Sequence, residues 1–264
     1  MGLRFSPLFS SSAGNSTFIA TEKTSLLIDA GVTGSALAGA LSSIDADAAR
    51  LSAILVTHEH IDHIKSVGVL SRKYGIPVYA NAETWCRMEG KIGEISSRNI
   101  RVVDKGEFFI GDICVAPVGL HHDAACPIGY CLMAGAKKIG ILTDTGKVTA
   151  PMLSVMEGAS IMLLEANHDI DMLKNGSYPY PLKRRILSSQ GHLSNVDAGS
   201  VSIELCVRGV RGIILGHISR ENNHKQLAFN TVANALLDAG VVVGKDVSLM
   251  AARRSGVTGV FVIK

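Results

Sequence analysis

The feature that most constrains the fold is a repeated pairing of short apolar segments with ionisable residues. Five segments of strand length each run into a histidine or a carboxylate: residues 26–28 into Asp29, 53–56 into His58, 139–142 into Asp144, 161–164 into Glu165, and 213–215 into His217. Stretches of helical period lie between these segments, and the alternation indicates an α/β protein. Because ligands gather at the carboxyl ends of strands in α/β sheets, we expect these five residues to lie near one site.

The composition is that of a folded chain with a large core. Hydrophobic residues make up 47% and charged residues 19% of the 264 residues, which excludes a disordered chain. The apolar segments are far shorter than the roughly 18 residues of a membrane-spanning helix, so no membrane partner is expected. Residues 1–12 do not resemble a secretory signal, which predicts a cytoplasmic location. No linker divides the sequence, so residues 1–264 are expected to form a single domain.

Five cysteines are scattered along the chain without a Cys-x-x-Cys pair. An odd number at irregular spacing argues against both a disulfide framework and a cysteine-rich zinc site. We expect them to be reduced residues of the core.

The most informative segment is residues 58–63, which read His-Glu-His-Ile-Asp-His. Imidazoles and carboxylates are the ligands of Zn²⁺ and similar divalent ions, and four of them fall within six residues. The alternative, a solvated histidine-rich loop, is disfavoured because an apolar strand precedes the segment and a helix over 62–74, ended by Gly75, is predicted to follow it. The helical HExxH zinc motif does not fit, since Asp62 stands where its second histidine would be.

Placed after a strand, this segment resembles the HxHxDH signature of the metallo-β-lactamase-fold hydrolases, and the resemblance covers most of the chain. It implies an αββα sandwich of two mixed sheets flanked by helices. It also implies two divalent metal ions that share one carboxylate. The ligands of the first ion would be His58, His60, His122 and Asp144, and those of the second would be Asp62, His63, Asp144 and His217. Asp29 is similar to an early aspartate of the family that supports a ligand.

Two of these assignments leave alternatives open. His121 and His122 are adjacent, and only one of two neighbouring side chains on extended backbone can face the metals. The His-Asp-Ala context of His122 is more similar to the family, which favours His122. A set of histidines and aspartates accepts Zn²⁺, Mn²⁺ and Fe, so zinc is expected first and the other two stay open.

Further motifs narrow the expected reaction. True metallo-β-lactamases typically carry cysteine at the position matching Asp144, so the resemblance argues against β-lactam hydrolysis. Residues 164–169, 191–195 and 216–223 look like the YycJ, WalJ or VicX branch of the superfamily. That branch implies a metal-dependent phosphodiesterase that acts on DNA as a 5′ exonuclease. A hydroxide bridging the two cations would attack the phosphate, and Asp62 would orient it.

His192 and Glu165 are further candidates for catalysis. Ser194 and Asp197 read as a capping box that begins a helix, which would place His192 beside a helix N-terminus able to bind phosphate. We expect His192 to donate a proton to the leaving alkoxide while Glu165 holds it in orientation. Two simpler interpretations stay open: His192 only binds phosphate, and Glu165 is a strand-end carboxylate paired with a nearby base.

Charge gives weaker support for DNA as the partner. Residues 183–225 carry seven basic and three acidic side chains, a net charge of +4 in a chain whose total is +3. A solvated helix face explains the basic run 183–185 as well as a DNA contact does.

Two other functions fit parts of the sequence. A small-molecule hydrolase of a cyclic phosphodiester, lactone or thioester would share the metal site. A regulatory binding module without activity would not need the complete ligand set. Cleavage polarity, DNA against RNA, and oligomeric state are left open by the sequence.

Overall fold

In the computed structural model, which describes residues 2–104 and 106–263, fourteen strands form two sheets of seven. The first sheet contains β1 (Leu3–Ser11), β2 (Gly14–Ala20), β3 (Ser25–Ile28), β4 (Ala53–Leu55), β5 (Val78–Ala80), β6 (Ile100–Val102) and β14 (Phe261–Ile263), in the order β14-β1-β2-β3-β4-β5-β6. The second contains β7 (Phe108–Ile110), β8 (Ile113–Gly119), β9 (Ile128–Ala134), β10 (Lys137–Leu142), β11 (Ile161–Glu165), β12 (Gly212–Gly216) and β13 (Ser248–Ala251), in the order β13-β12-β11-β10-β9-β8-β7. Of the expected domain, Met1, Lys105 and Lys264 lie outside the described residues.

Each sheet is mixed, and its parallel part carries the strands singled out by the sequence. Strands β3 to β6 are parallel to one another, as are β10 to β13. In the second sheet, Leu142 pairs with Leu164, which pairs with Leu215. Because parallel strands in register end at the same edge, the residues that follow β10, β11 and β12 come together, as do those that follow β3 and β4.

Nine α-helices lie in the described part of the chain: α1 (Gly34–Ser42), α2 (Ile61–Ile64), α3 (Val67–Tyr74), α4 (Ala82–Met88), α5 (Ala150–Met156), α6 (Ile170–Asn175), α7 (Tyr180–Ile186), α8 (Asn195–Val207) and α9 (Lys225–Asp238). Helices α1 and α3 contribute to a hydrophobic cluster on the outer face of the first sheet, and α5, α8 and α9 to one on the outer face of the second. No helix in these residues is both long and apolar enough to cross a membrane.

A third hydrophobic cluster lies between the sheets. It joins Phe5 and Ile28 of the first sheet to Ile141 and Leu163 of the second. Alternate residues of β11 face opposite ways, so that Leu163 packs between the sheets while Leu164 packs under the outer helices. Buried on both faces, such strands read as continuous apolar runs. The predicted αββα sandwich is confirmed.

The predicted single helix over 62–74 is wrong. The segment forms two helices, α2 and α3, because the backbone leaves helical geometry at Ser66 (φ −115°, ψ 5°). The amide and hydroxyl of Ser66 both donate to the carbonyl of Ala30, which ties this point to the loop after β3. The predicted stop is confirmed, since Gly75 is left-handed with φ 70°.

The cysteine prediction is only partly right. Cys131 and Cys206 are buried, as expected of core residues. Cys86 is exposed, and Cys114 and Cys126 are half-buried.

Candidate metal centre and active site

Backbone geometry marks the edge of the sheets where the strands end. Asp29 follows β3, Asp144 lies two residues beyond β10, and His217 follows β12; their φ angles are 60°, 60° and 52°. Left-handed backbone costs a residue with a Cβ atom about 1–2 kcal/mol, and such residues concentrate at functional sites. Within the described chain only Asp45, in an exposed turn, is another non-glycine residue with positive φ.

Three histidines converge at the end of β4. Nε2 of His58 lies 3.0 Å from Nδ1 of His60, and the ring of His122 lies 5.1 Å from each of their rings. One ring nitrogen of each histidine lies within 4.8 Å of those of the other two, close enough to hold one ion. Nδ1 of His122 donates to the carbonyl of Gly191 at 3.0 Å, which orients the ring. The half-buried His121 belongs to none of the clusters that could hold a metal in the described residues.

His63 lies beside both Asp144 and Asp62. Nε2 of His63 is 3.4 Å from Oδ2 of Asp144 and 3.6 Å from Oδ2 of Asp62. Nδ1 of His63 contacts Oδ2 of Asp29 at 2.7 Å. Asp29 is itself fixed by Thr57, whose amide and hydroxyl each donate to its carboxylate at 2.8 Å. Asp29 therefore orients His63, as the resemblance implied.

Glu165 joins two histidines of the second sheet. Its Oε1 accepts from Nδ1 of His217 at 2.8 Å and from Nδ1 of His192 at 2.7 Å. Its Oε2 accepts from the amides of Thr145 and Leu193. The expected contact between Glu165 and His192 is present, and Nδ1 of His192 lies 3.9 Å from Oδ1 of Asp144.

The buried carboxylates and imidazoles of the site shift one another's pKa values. Burial opposes protonation of His63, but the carboxylates of Asp144 and Asp29 outweigh it and raise the pKa of His63 to about 10. Burial also opposes protonation of His217, yet Asp144 and Glu165 raise its pKa to about 9. Although burial alone would raise the pKa of Asp144, the surrounding imidazoles hold it well below its usual range. The carboxylates thus favour positive charge on the groups buried next to them.

Buried polar atoms without hydrogen-bond partners give separate evidence that the residues fit a divalent cation. Ten buried side-chain atoms of the described residues have no hydrogen-bond partner, and two of them, Oδ2 of Asp144 and Nε2 of His217, belong to predicted metal ligands. Such atoms cost about 1–3 kcal/mol each unless a ligand or ion satisfies them. Four overlapping clusters could hold a metal, and together they include all seven predicted ligands, His192 and Glu165: His58, His60 and His122; His58, His63 and Asp144; Asp62, His63 and His217; Asp144, Glu165, His192 and His217. The set of imidazoles and carboxylates is the one that Zn²⁺ and related ions prefer.

Sequence reasoning gave no role to two asparagines of the site. Nδ2 of Asn15 lies 3.0 Å from Nε2 of His63 and 3.3 Å from Oδ2 of Asp62. Nδ2 of Asn167 donates to the carbonyl of His217 at 2.9 Å. The signal that could have found Asn167 is its place in residues 164–169, one of the segments that resemble the YycJ, WalJ or VicX branch.

One local expectation is not supported. The capping box of Ser194 and Asp197 is present at the start of α8. However, the amides of Ser194, Asn195 and Asp197 all have acceptors inside the protein, namely the side chain of Asp197, the carbonyl of His168 and the side chain of Ser194. Little of this helix end is left to bind a phosphate.

The basic run of α7 lies partly at the site. Nε of Arg185 pairs with Oδ2 of Asp123, the residue next to His122. Nζ of Lys183 instead donates to the carbonyls of Lys174 and Gly176. Two of the three basic side chains of this run are therefore bonded within the protein.

Comparison with known proteins places this chain in a family. The family model described as the metallo-beta-lactamase superfamily matches residues 11–154, more than half of the chain. This chain belongs to the metallo-beta-lactamase superfamily. The superfamily and the arrangement of strands inferred from the sequence are both confirmed.

Within the superfamily, curated relatives match nearly the whole chain. Exodeoxyribonuclease WalJ of Streptococcus pneumoniae serotype 2 is 43% identical over 249 residues, which cover 93% of each protein. Exodeoxyribonuclease YycJ of Bacillus anthracis is 42% identical over 246 residues, again 93% of each. The resemblance to the YycJ, WalJ or VicX branch is confirmed. The crystal structure of YhfI from Bacillus subtilis covers 99% of each chain with a TM-score of 0.72 at 17% identity, a likeness in fold alone.

Proposed function

We propose that this protein is a metal-dependent exodeoxyribonuclease that digests DNA from the 5′ end. The observation that carries the proposal is the position of Asp144, a buried carboxylate between imidazoles supplied by both sheets, with one oxygen free of hydrogen bonds. Curated exodeoxyribonucleases that are 43% and 42% identical to this chain support DNA as the substrate.

Two divalent cations fit the clusters described above. His58, His60, His122 and Asp144 would hold one, and Asp62, His63, Asp144 and His217 would hold the other. Zinc is the first candidate for both, with Mn²⁺ or Fe as alternatives. When bound, such ions neutralise phosphate charge and activate water for attack.

The remaining roles belong to side chains of the protein. Asp62, only partly buried and contacted by Asn15, would orient the attacking water as well as contribute a ligand oxygen. His192, with Nδ1 held by Glu165, would present Nε2 as the acid that protonates the leaving oxygen. Glu165 acts through the two histidines and is a positioning residue.

We further propose that residues 1–264 are one domain. The hydrophobic cluster between the sheets takes residues from both, and each half alone would expose that face to water. Unfolding in urea, followed by fluorescence of the single tryptophan, Trp85, and by circular dichroism, should give one coincident transition. Two separate transitions would contradict a single domain.

The substrate test compares DNA with small esters. Protein freed of metal by a chelator is supplied with Zn²⁺, Mn²⁺ or Fe²⁺ and given linear DNA labelled at either end, the same DNA closed into a circle, bis(p-nitrophenyl) phosphate, and a thioester. We expect stepwise release of nucleotides from the 5′ end of linear DNA and none from the circle. Hydrolysis of the small esters without any DNA cleavage would support the small-molecule hydrolase instead.

The acid role of His192 is tested through the leaving group. His192→Ala should slow DNA cleavage about 100-fold, because an alkoxide needs a proton to leave. It should slow hydrolysis of bis(p-nitrophenyl) phosphate far less, because p-nitrophenolate leaves without one. His224→Ala, at the exposed start of α9, is the control. An equal loss on both substrates would mean that His192 binds phosphate or supports the site without donating a proton.

A further inference from the structure

A cleft of about 560 Å³ is lined by residues that are neighbours in the chain of Asn15 and His217. One wall is the turn between β1 and β2, at Ser12 and Ala13, and another is the loop after His217, at Ser219 and Arg220. Its volume is within the range of pockets that bind small molecules, roughly 300–1,000 Å³. The cleft is thus large enough for one nucleotide.

Two short connections join the cleft to the proposed catalytic groups. Gly14 lines the cleft, and the next residue, Asn15, contacts both Asp62 and His63. Ser219, on the opposite wall, lies two residues after His217. A strand whose phosphate lies at the centre would therefore have a neighbouring nucleotide within reach of the cleft.

The lining offers an aromatic surface for a base. Tyr178 lines the cleft and is half-buried, as are Phe9 and Val32, whose side chains add apolar surface to the lining. Stacking of nucleobases on aromatic side chains is the common means of holding single-stranded nucleic acid, and it tolerates any base. Such tolerance suits an enzyme that digests DNA of any sequence.

Positive charge lies next to this aromatic surface. The guanidinium of Arg254 donates to the carbonyls of Ile218 at 3.2 Å, Ser219 at 2.5 Å and Asn223 at 2.8 Å. These bonds hold it in place, and none of the ion pairs in residues 2–104 and 106–263 includes it.

The charge of Arg254 is not isolated. Burial first, and then the positive charges of Arg253 and Arg254, lower the pKa of Lys225, so these three cations act on one another. A fourth, Arg220, lies 4.0 Å from Glu221, and both of those side chains are exposed. A fixed cation without a carboxylate partner suits a phosphate of the DNA backbone.

We propose that this cleft is a nucleotide subsite of the exodeoxyribonuclease, in which a base next to the cleaved bond stacks on Tyr178 while a phosphate pairs with Arg254. The proposal rests on the proposed function and adds the part of the substrate that is recognised. Tyr178 is then a residue that binds the substrate without taking part in the chemistry.

The test is a double-mutant cycle in which the ring of Tyr178, the base, or both are removed. Single-stranded oligonucleotides carry one abasic residue at the first, second or third position from the digested end, or none. Tyr178→Ala, Tyr178→Phe and wild type are compared on each. Tyr180→Ala is the matched control, because Tyr180 is an exposed tyrosine two residues away that does not line the cleft.

On the intact strand, Tyr178→Ala should lower kcat/KM about tenfold, mainly through KM, and Tyr178→Phe should restore it. Wild type should lose a similar factor at one abasic position, and there Tyr178→Ala should lose nothing more. Equal losses by Tyr178→Ala on every substrate, or no loss on any, would overturn the subsite, as would an equal loss in Tyr180→Ala. If wild type degrades no DNA at all, the proposed function fails first and the subsite with it.

Discussion

Asp29 and Asp144 occupy matching places on the two sheets but use their carboxylates differently. Each is buried, lies just beyond a parallel strand and has a φ of 60°. Both oxygens of Asp29 accept hydrogen bonds, from Thr57 and His63. Asp144 has one oxygen without a hydrogen bond and lies among imidazoles at 3.4 to 3.9 Å. The same backbone conformation thus yields a supporting residue on one sheet and a candidate ligand on the other, depending on whether the carboxylate is already satisfied.

Glu165 extends the comparison within the second sheet. Like Asp29, it accepts from the Nδ1 atoms of histidines and from backbone amides. It holds two histidines, whereas Asp29 holds one. The second sheet therefore contributes both the carboxylate that is proposed to be shared by the two cations and the residue that supports more histidines.

The largest effect is expected from Asp144→Asn. The variant keeps the shape of the side chain but removes the charge that both cations would share. A loss of several kcal/mol of charge stabilisation corresponds to a fall in activity of at least about 1,000-fold. Kinetics on linear DNA and elemental analysis of the purified variant check this. Full metal content together with unchanged activity would show that Asp144 is a supporting residue like Asp29.

Glu165→Gln should lower kcat/KM about 100-fold, a smaller effect than that of Asp144→Asn. The glutamine side chain has no charged oxygen to accept hydrogen bonds from the Nδ1 atoms of both histidines. Loss of a group that orients a metal ligand costs about 10–100-fold in metal affinity or activity. Glu204→Gln, an exposed glutamate of α8, is the matched control. The role of Glu165 is rejected if the two variants have the same activity and metal affinity.

Asp29→Asn should cost about tenfold in metal affinity, the lower end of the same range, because among the predicted ligands only His63 contacts it directly. The free energy of unfolding should also fall by about 1–3 kcal/mol, since buried bonds to Thr57 and His63 are disturbed. Metal titration and urea denaturation measure the two effects. A loss as large as that of Asp144→Asn would remove the distinction between the two aspartates.

The smallest effect is expected from Asp45→Gly. Asp45 shares the left-handed backbone, with φ 57°, but lies in an exposed turn away from the metal centre. Glycine removes the steric cost of that conformation and adds conformational entropy to the unfolded chain, a net gain of about 0.5 kcal/mol. Urea denaturation should detect it with nuclease activity unchanged. Reduced activity would mean that Asp45 influences the metal centre from its exposed turn.

Much of the site could be predicted because its residues lie where strands end. The apolar runs before Asp29, Asp144 and His217 are visible in the sequence, and parallel pairing aligns their ends. The break between α2 and α3 could not be predicted, because it depends on a bond from Ser66 to Ala30, which lies 36 residues earlier. A helical pattern carries no information about such a partner.

The choice between adjacent histidines shows the same limit. Because successive side chains on extended backbone point to opposite sides, only one of His121 and His122 can face the centre. The carbonyl of Gly191, 69 residues from His122, orients the ring of His122.

The sequence by itself determined the residue types, their order along the chain and the strand ends that carry them, because apolar period and ligand chemistry are local properties. Only the tertiary structure decided which carboxylate is satisfied and which has a free oxygen. That outcome depends on partners brought from distant segments, such as Thr57 beside Asp29 and His217 beside Asp144. Hydrogen bonds form at donor–acceptor distances of about 3 Å, so the partners of each carboxylate are determined only once the two sheets have packed together.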